Sequence, residues 1–187
     1  MHRQKILATV GPPLSGKTTF CGNLPQFTPR SFATPLYDML SIVVGKDKVR
    51  EARRLNQKGE PLAELCGKSL RQALQTLGTE WGRELIGEDV WVDLLLRSSR
   101  WLEYIAVDDL RFPNEYDALL RRGAVFVRLL PYAELRNNGW EGHSSESYWR
   151  TFKVHKEVRW NTHEEIRLAA QSFGDEWGQY VGTEPRL

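Results

Sequence analysis

Gly11-Pro-Pro-Leu-Ser-Gly-Lys-Thr18 matches G-x-x-x-x-G-K-[ST] at every fixed position and follows the apolar run Ile6 to Val10. A strand, a glycine-bearing loop and a helix in that order form the context in which this motif cradles phosphate groups. Gly11 and Gly16 let the backbone curl through Pro13, Leu14 and Ser15, so that successive N–H groups face an anion. Lys17 is placed to reach the outer phosphates of a nucleotide, and Thr18 to offer its hydroxyl to Mg²⁺, with Thr19 continuing into the helix. A strand-to-helix turn that binds nothing would explain the glycines and prolines but not Lys-Thr at the helix start.

The chain has 187 residues, enough for one domain carrying an inserted lid. With 26 Lys+Arg against 24 Asp+Glu the net charge is +2, so bulk charge announces no nucleic-acid partner and suits a small anionic substrate. Cys21 and Cys66 lack metal-ligand spacing and read as reduced thiols. No stretch approaches 18 apolar residues, and the N-terminus lacks the apolar core of a signal peptide. The expectation is a soluble cytoplasmic protein, in the host cell if phage-encoded, with no membrane partner.

Residues 5–10 read as the first strand, Lys17 to about Asn23 as the first helix, and Ser31-Phe-Ala33 as a short second strand. Pro35 opens a helix whose apolar stripe is Leu36, Met39, Leu40 and Val43. A basic segment from Lys46 to Gly59 reads as a solvated helix and loop. From Ser69 to about Leu85, an α-helical pitch gathers Leu70, Ala73, Leu74, Leu77, Trp81 and Leu85 within roughly 120°. Arg71, Gln75 and Thr79 share the opposite, polar arc, open to a substrate or to solvent. Gly78 and Gly82 lie one turn apart at the seam, where something should approach closely.

Tyr104 to Asp109 has the form of a central parallel strand that delivers two acids to the sheet edge where the P-loop sits. There an acid can hold Mg²⁺, and Arg111 can grip a phosphate bidentately. Pro113 and Gly123 bracket a further helix, Ala124 to Leu130 is the fourth strand, and Val154 to Trp160 the last. The segment 131–153 lacks a clean period and reads as a lid, with His143 in it. Thr162-His-Glu-Glu165 is a capping box for a final helix buried along Ile166, Ala169, Ala170, Phe173, Trp177 and Val181. Alternating strands and helices imply a three-layer α/β/α sandwich on a mainly parallel sheet of about five strands, the P-loop NTPase class. Within a single domain spanning 1–187, a helical region occupies about 34–98.

Several pieces together resemble the phage-type deoxynucleoside monophosphate kinases. They are Gly11 to Thr18, Ala33-Thr-Pro-Leu36, Arg71 to Thr79, Trp91, Asp109-Leu-Arg-Phe-Pro-Asn-Glu115, His143-Ser-Ser-Glu146 and Asn161, in the family's order. The resemblance implies transfer of the γ-phosphoryl group of ATP, with Mg²⁺, to a deoxynucleoside 5′-monophosphate. It implies that Arg71, Gln75, Thr79 and Trp91 contact the acceptor and that Asp109, Arg111 and Glu115 line its phosphate side, making Lys17, Arg111 and Asp109 the catalytic set. The chain departs from the family pattern at Tyr37, where Lys is usual, and at Leu130, where Arg is usual. Arg128, Arg136 and Arg150, beside His143 and Glu146, are the candidates for lid groups that supply the missing cations.

No Asn/Thr-Lys-x-Asp base-reading motif is present, which argues against a GTPase switch. Two other readings stand beside the kinase: a P-loop kinase for a modified pyrimidine nucleotide, a sugar or a base in DNA, and an ATP-binding module for assembly or DNA packaging. Small-molecule nucleotides are the expected partners, nucleic acid is not, and the sequence does not decide between a monomer and a homodimer.

Overall fold

A computed structural model describes residues 4–132 and 148–186. The chain divides into two compact units, Met1–Ser31 with Leu95–Leu187, and Phe32–Leu94.

The first unit is built on five strands, β1 (Lys5–Val10), β2 (Thr28–Arg30), β3 (Tyr104–Val107), β4 (Val125–Pro131) and β5 (Lys156–Trp160). They lie in the order β2-β3-β1-β4-β5, and every pairing is parallel. Parallel strands need crossovers and are covered on both faces, which is why β1 and β4 read as nearly unbroken apolar runs. On one face, Leu7, Ala106, Val125, Val127, Leu129 and Val158 pack under Phe20 and Cys21 of α1 (Lys17–Gly22) and Ile166, Ala170 and Phe173 of α7 (His163–Glu176). On the other, Phe126 meets Tyr116 of α6 (Pro113–Leu120) at a ring separation of 4.4 Å, and Tyr116 stacks on Phe152. Helices on both faces of one sheet make this an α/β/α sandwich.

Thr9 is the polar exception inside β1. Its hydroxyl donates to the Val107 carbonyl at 3.2 Å, so its burial carries no unsatisfied donor. The second strand lies at Thr28–Arg30 rather than at Ser31-Phe-Ala33. Pro29 argues against a strand only in a sheet interior; at the sheet edge, where β2 lies, a missing N–H is tolerated. Of the capping box expected for α7, the Thr162 half is present, its hydroxyl accepting from the Glu165 N–H at 3.3 Å; the Glu165 carboxylate accepts from the Asn161 N–H at 2.9 Å, one residue before the N-cap. The buried stripe of α7 ends at Trp177, and Val181, expected on it, is exposed.

The second unit is helical: α2 (Thr34–Val44), α3 (Lys46–Arg54), α4 (Leu70–Thr76), a π-helix at Leu77–Ile86, and the first turn of α5 (Val90–Ser98). Leu40, Val44, Val49, Ala52 and Leu70 form its core. On α2 the buried stripe is Leu36, Leu40 and Val44, at i, i+4 and i+8, whereas Met39 and Val43 of the expected stripe are exposed. The structure corrects the regular helix expected through Leu85 as well. Beyond Thr76 the hydrogen bonds run i→i+5, as from the Gly87 N–H to the Gly82 carbonyl at 2.9 Å. That wider winding rotates successive side chains away from α-helical positions, and so Trp81 and Leu85, expected inside, face solvent.

Trp91 is what approaches the glycine seam. Its indole N–H donates to the Gly78 carbonyl at 2.8 Å, and a Cβ added to Gly82 would sit 2.4 Å from its ring. Gly82→Ala should therefore destabilise the helical unit. Alanine gains about 1 kcal/mol of helix propensity, but contact that close overpacks the site at a cost of about 1–3 kcal/mol and pushes the indole off its carbonyl. Urea unfolding checks this; an unchanged midpoint would contradict it.

Candidate functional site

Three parallel strands end at one edge of the sheet. Ala8 of β1 is in register with Val107 of β3, so the loop after Val10 and the acids after Val107 emerge side by side. β3 and β4 flank β1 on opposite sides, and a crevice forms at such a point, where successive connections leave in opposite directions.

The loop is tightly shaped. Gly16 has φ +82°, and a Cβ there would lie 2.4 Å from Cδ1 of Ile166, so both conformation and space require glycine. Gly11 approaches β4 closely, with 2.4 Å between an added Cβ and the Leu129 carbonyl oxygen. Leu14, at the exposed tip, is held at φ +62°, an uncommon conformation for a side-chain-bearing residue. Ser15 is buried, and its carbonyl accepts the indole N–H of Trp160 at 3.0 Å, which ties the loop to the end of β5. Pro13 and Thr19 are half-buried.

The Lys17 ammonium closes the loop on itself. It donates to the carbonyls of Gly11 at 3.0 Å and Pro12 at 2.7 Å and to the Ser15 hydroxyl at 3.3 Å. One positive charge thus rests against the carbonyl oxygens at the start of the loop. Thr18, the next residue, is exposed, and its hydroxyl lies near enough to the Asp108 carboxylate to favour its charged form.

The two acids after β3 diverge. Asp108 turns to Thr18, while Asp109 accepts from the Ser31 hydroxyl at 2.6 Å. Burial and the neighbouring Asp109 charge push the Asp108 carboxyl up to about 6, against the pull of Thr18 and Lys17. The sequence resemblance points to Asp109, but the carboxylate that senses Thr18 and Lys17 most directly from a buried position is that of Asp108. Only the alternation of side chains past the strand end distinguishes them, and two adjacent acids give no sequence signal for it.

Glu115 is buried at the third position of α6 and accepts from the backbone N–H groups of Arg111 at 2.8 Å and Phe112 at 3.0 Å. It caps the helix and fixes the backbone from which the exposed Arg111 projects. Arg128 is not a lid group: it is a buried β4 residue whose guanidinium pairs with Glu157 at 2.5 Å and donates to the Phe152 carbonyl. Arg150 ends a short turn at Tyr148–Arg150 and lies over the Trp149 ring. Arg136, His143 and Glu146 lie outside the described residues.

Arg71, Gln75, Thr79 and Trp91 all belong to the helical unit. Gln75 is exposed, Arg71 and Thr79 are half-buried, and Trp91 is buried against Gly78 and Gly82. The Arg71 backbone N–H donates to the Lys58 carbonyl at 2.8 Å.

Among the described residues no three His, Cys, Asp or Glu side chains form a metal cluster. A hydroxyl beside one carboxylate, Thr18 and Asp108, is a hard oxygen donor pair, which suits Mg²⁺ because that ion keeps most of its coordination for water and substrate phosphates. Cys21 is buried under the sheet, and burial raises its thiol far above the ordinary range, so it stays a neutral core side chain. No helix among the described residues is long and apolar enough to cross a membrane.

No protein-family profile matches the chain, and no curated protein matches it in sequence. Among solved structures it is similar to the unliganded crystal structure of a sugar kinase from Janibacter sp. HTCC2649, at 17% identity and a TM-score of 0.43 over 96% of this chain and 99% of that one. A likeness that distant carries no information on substrate.

Proposed function

We propose that the chain is an ATP-dependent phosphotransferase that moves the γ-phosphoryl group of ATP to a deoxynucleoside 5′-monophosphate, giving ADP and the diphosphate. The observation that carries this reading is the trio at one sheet edge: the glycine-shaped loop, Lys17 folded against it, and Asp108 beside Thr18. Fold alone never fixes activity, and these groups supply what phosphoryl transfer needs.

The loop N–H groups and Lys17 bind and align the triphosphate, and Lys17 neutralises charge on its outer phosphates. Mg²⁺, when bound, would be held by Thr18 and Asp108 and would supply further neutralisation of the phosphate oxygens. The attacking oxygen belongs to an acceptor phosphate that is already anionic near neutral pH, so no side chain has to remove a proton from it. It forms a bond to the γ-phosphorus as the bond to the β-bridging oxygen breaks, and ADP leaves with that electron pair. Catalysis is then alignment and electrostatics. Arg111, carried on a backbone braced by Glu115, is suited to grip a phosphate bidentately. The acceptor class follows the sequence resemblance, with Arg71, Gln75, Thr79 and Trp91 as acceptor contacts.

Incubation of the purified chain with ATP, Mg²⁺ and each common ribo- and deoxynucleoside monophosphate, with products resolved chromatographically, tests this reading. The expected result is a diphosphate from at least one deoxynucleotide. ATP hydrolysis that leaves every acceptor unphosphorylated would contradict it and favour an ATP-driven assembly module.

A further inference from the structure

Three carbonyls of the P-loop are held by donors of the chain itself. Those of Gly11 and Pro12 accept from the Lys17 ammonium, and that of Ser15 accepts from the Trp160 indole N–H at 3.0 Å. The first two bonds come from within the motif. The third comes from the end of β5, where Trp160 pairs in register with Pro131 and its own carbonyl accepts the Tyr132 N–H at 2.8 Å. The Trp160 ring is buried in the core and also borders Gly16, with Cε2 3.6 Å from a Cβ built there. The indole is therefore a donor fixed on a paired strand, 145 residues along the chain from the carbonyl it holds, so no motif spacing records it.

That bond sets the direction of one amide. No peptide bond among the described residues is cis, and in a trans peptide the C=O and the N–H point to opposite sides. Aiming the Ser15 carbonyl at Trp160 thus turns the Gly16 N–H away from the indole. Gly16 does not secure that direction by itself: it stands at φ +82°, and glycine adopts positive and negative φ about equally. A turned-over Ser15–Gly16 peptide would present a carbonyl, which repels a phosphate oxygen, where a donor is needed to bind one. It would also leave a buried indole N–H without its partner, which is unfavourable.

We infer that Trp160 is a positioning residue for the triphosphate: by holding the Ser15 carbonyl it keeps the Gly16 N–H turned toward the phosphates. This rests on the reading above that the loop binds ATP, and it adds a residue from outside the motif to the groups that shape the cradle.

The test uses the full chain with Trp160→Phe, which keeps a ring and removes the N–H. Trp177→Phe is the control, the same change in the same core, where Trp177 lies against Phe27 and Phe173. Calorimetric titration with ATP and Mg²⁺, and with inorganic tripolyphosphate, reads affinity without an acceptor. In Trp160→Phe both Kd values should rise about 10-fold, the low end for a lost hydrogen bond to a charged group, while in Trp177→Phe they stay within about two-fold. In steady-state rates the ATP KM should rise in Trp160→Phe and the acceptor KM should not. A merely structural role would lower the melting temperature of both variants and leave their affinities alike. An ATP affinity in Trp160→Phe equal to that of the wild type would overturn the inference.

Wild-type ¹⁵N spectra add a measurement that needs neither variant to fold. On titration with tripolyphosphate the Trp160 indole and Gly16 amide resonances should shift together and saturably, because one peptide unit joins the two bonds and each polarises the other. A Gly16 amide or a Trp160 indole that stays in place would overturn the inference. Its failure is distinct from that of the transfer reading. A wild type that binds ATP but phosphorylates no acceptor, with affinity lost in Trp160→Phe, upholds the positioning role although the transfer has failed. Transfer to a deoxynucleotide with ATP affinity untouched by Trp160→Phe does the reverse. A wild type that binds neither ATP nor tripolyphosphate overturns both.

Discussion

Lys17→Ala is expected to lower turnover about 100- to 1,000-fold, the usual effect of removing one preorganised donor from the charge developing in a transition state. The chain should still fold. The Lys17 ammonium bonds to its own loop, at Gly11, Pro12 and Ser15, and Lys17 is not among the residues of the core beneath the sheet. Loss of those bonds leaves two carbonyls on the half-buried loop and the buried Ser15 hydroxyl without that donor, at about 1–3 kcal/mol each before water replaces it. The melting temperature should therefore move by a few degrees while activity collapses. Unchanged turnover would remove the loop from the chemistry; a collapsed fold would make it a structural turn.

The second large effect is expected at Asp108, where activity and stability should move in opposite directions. Asp108→Asn removes the charged oxygen beside Thr18, and turnover should fall about 100-fold or more, because metal-assisted neutralisation contributes several kcal/mol. The same substitution should raise the melting temperature at pH 7. The folded-state value of about 6 lies above the ordinary 3.8, so ionised Asp108 opposes folding. This penalty is absent below about pH 4, where the group is protonated folded and unfolded, grows through about pH 6, and is constant above. The variant's advantage should accordingly be full at pH 7 and vanish at pH 4. Wild-type kcat/KM should lose activity on acidification with a midpoint near pH 6, since the free enzyme needs the carboxylate. Thermal melts of both proteins across that range check the claim; a variant no more stable than the wild type at pH 7 would show that Asp108 is not held against its charge.

The P-loop was legible because its spacing encodes a backbone shape: Gly16 is needed for a left-handed turn under Ile166, and no other feature of the chain competes with that. The parallel sheet was legible in the long apolar runs, except at β2, where Pro29 hid an edge strand. Gly78 and Gly82 announced a close approach but not its source, since Trp91 arrives from the next helix. The exposure of Trp81 and Leu85 was not legible, because a periodic reading assumes α-helical pitch and the chain winds wider there. Asp109 was favoured over Asp108 for a related reason: which of two adjacent acids faces the loop depends on how the chain turns after Val107. Likewise the basic segment read as plain solvated charge, and only the folded unit sets Arg53 and Lys58 against Tyr37.

The most direct test of the central claim, that this loop grips a triphosphate, is equilibrium binding of ATP with Mg²⁺ to the full chain and to Lys17→Ala. Saturable binding of one ATP per chain, weakened at least about 10-fold by the substitution, is the predicted result. No saturable binding, or equal affinity in the two proteins, would contradict it.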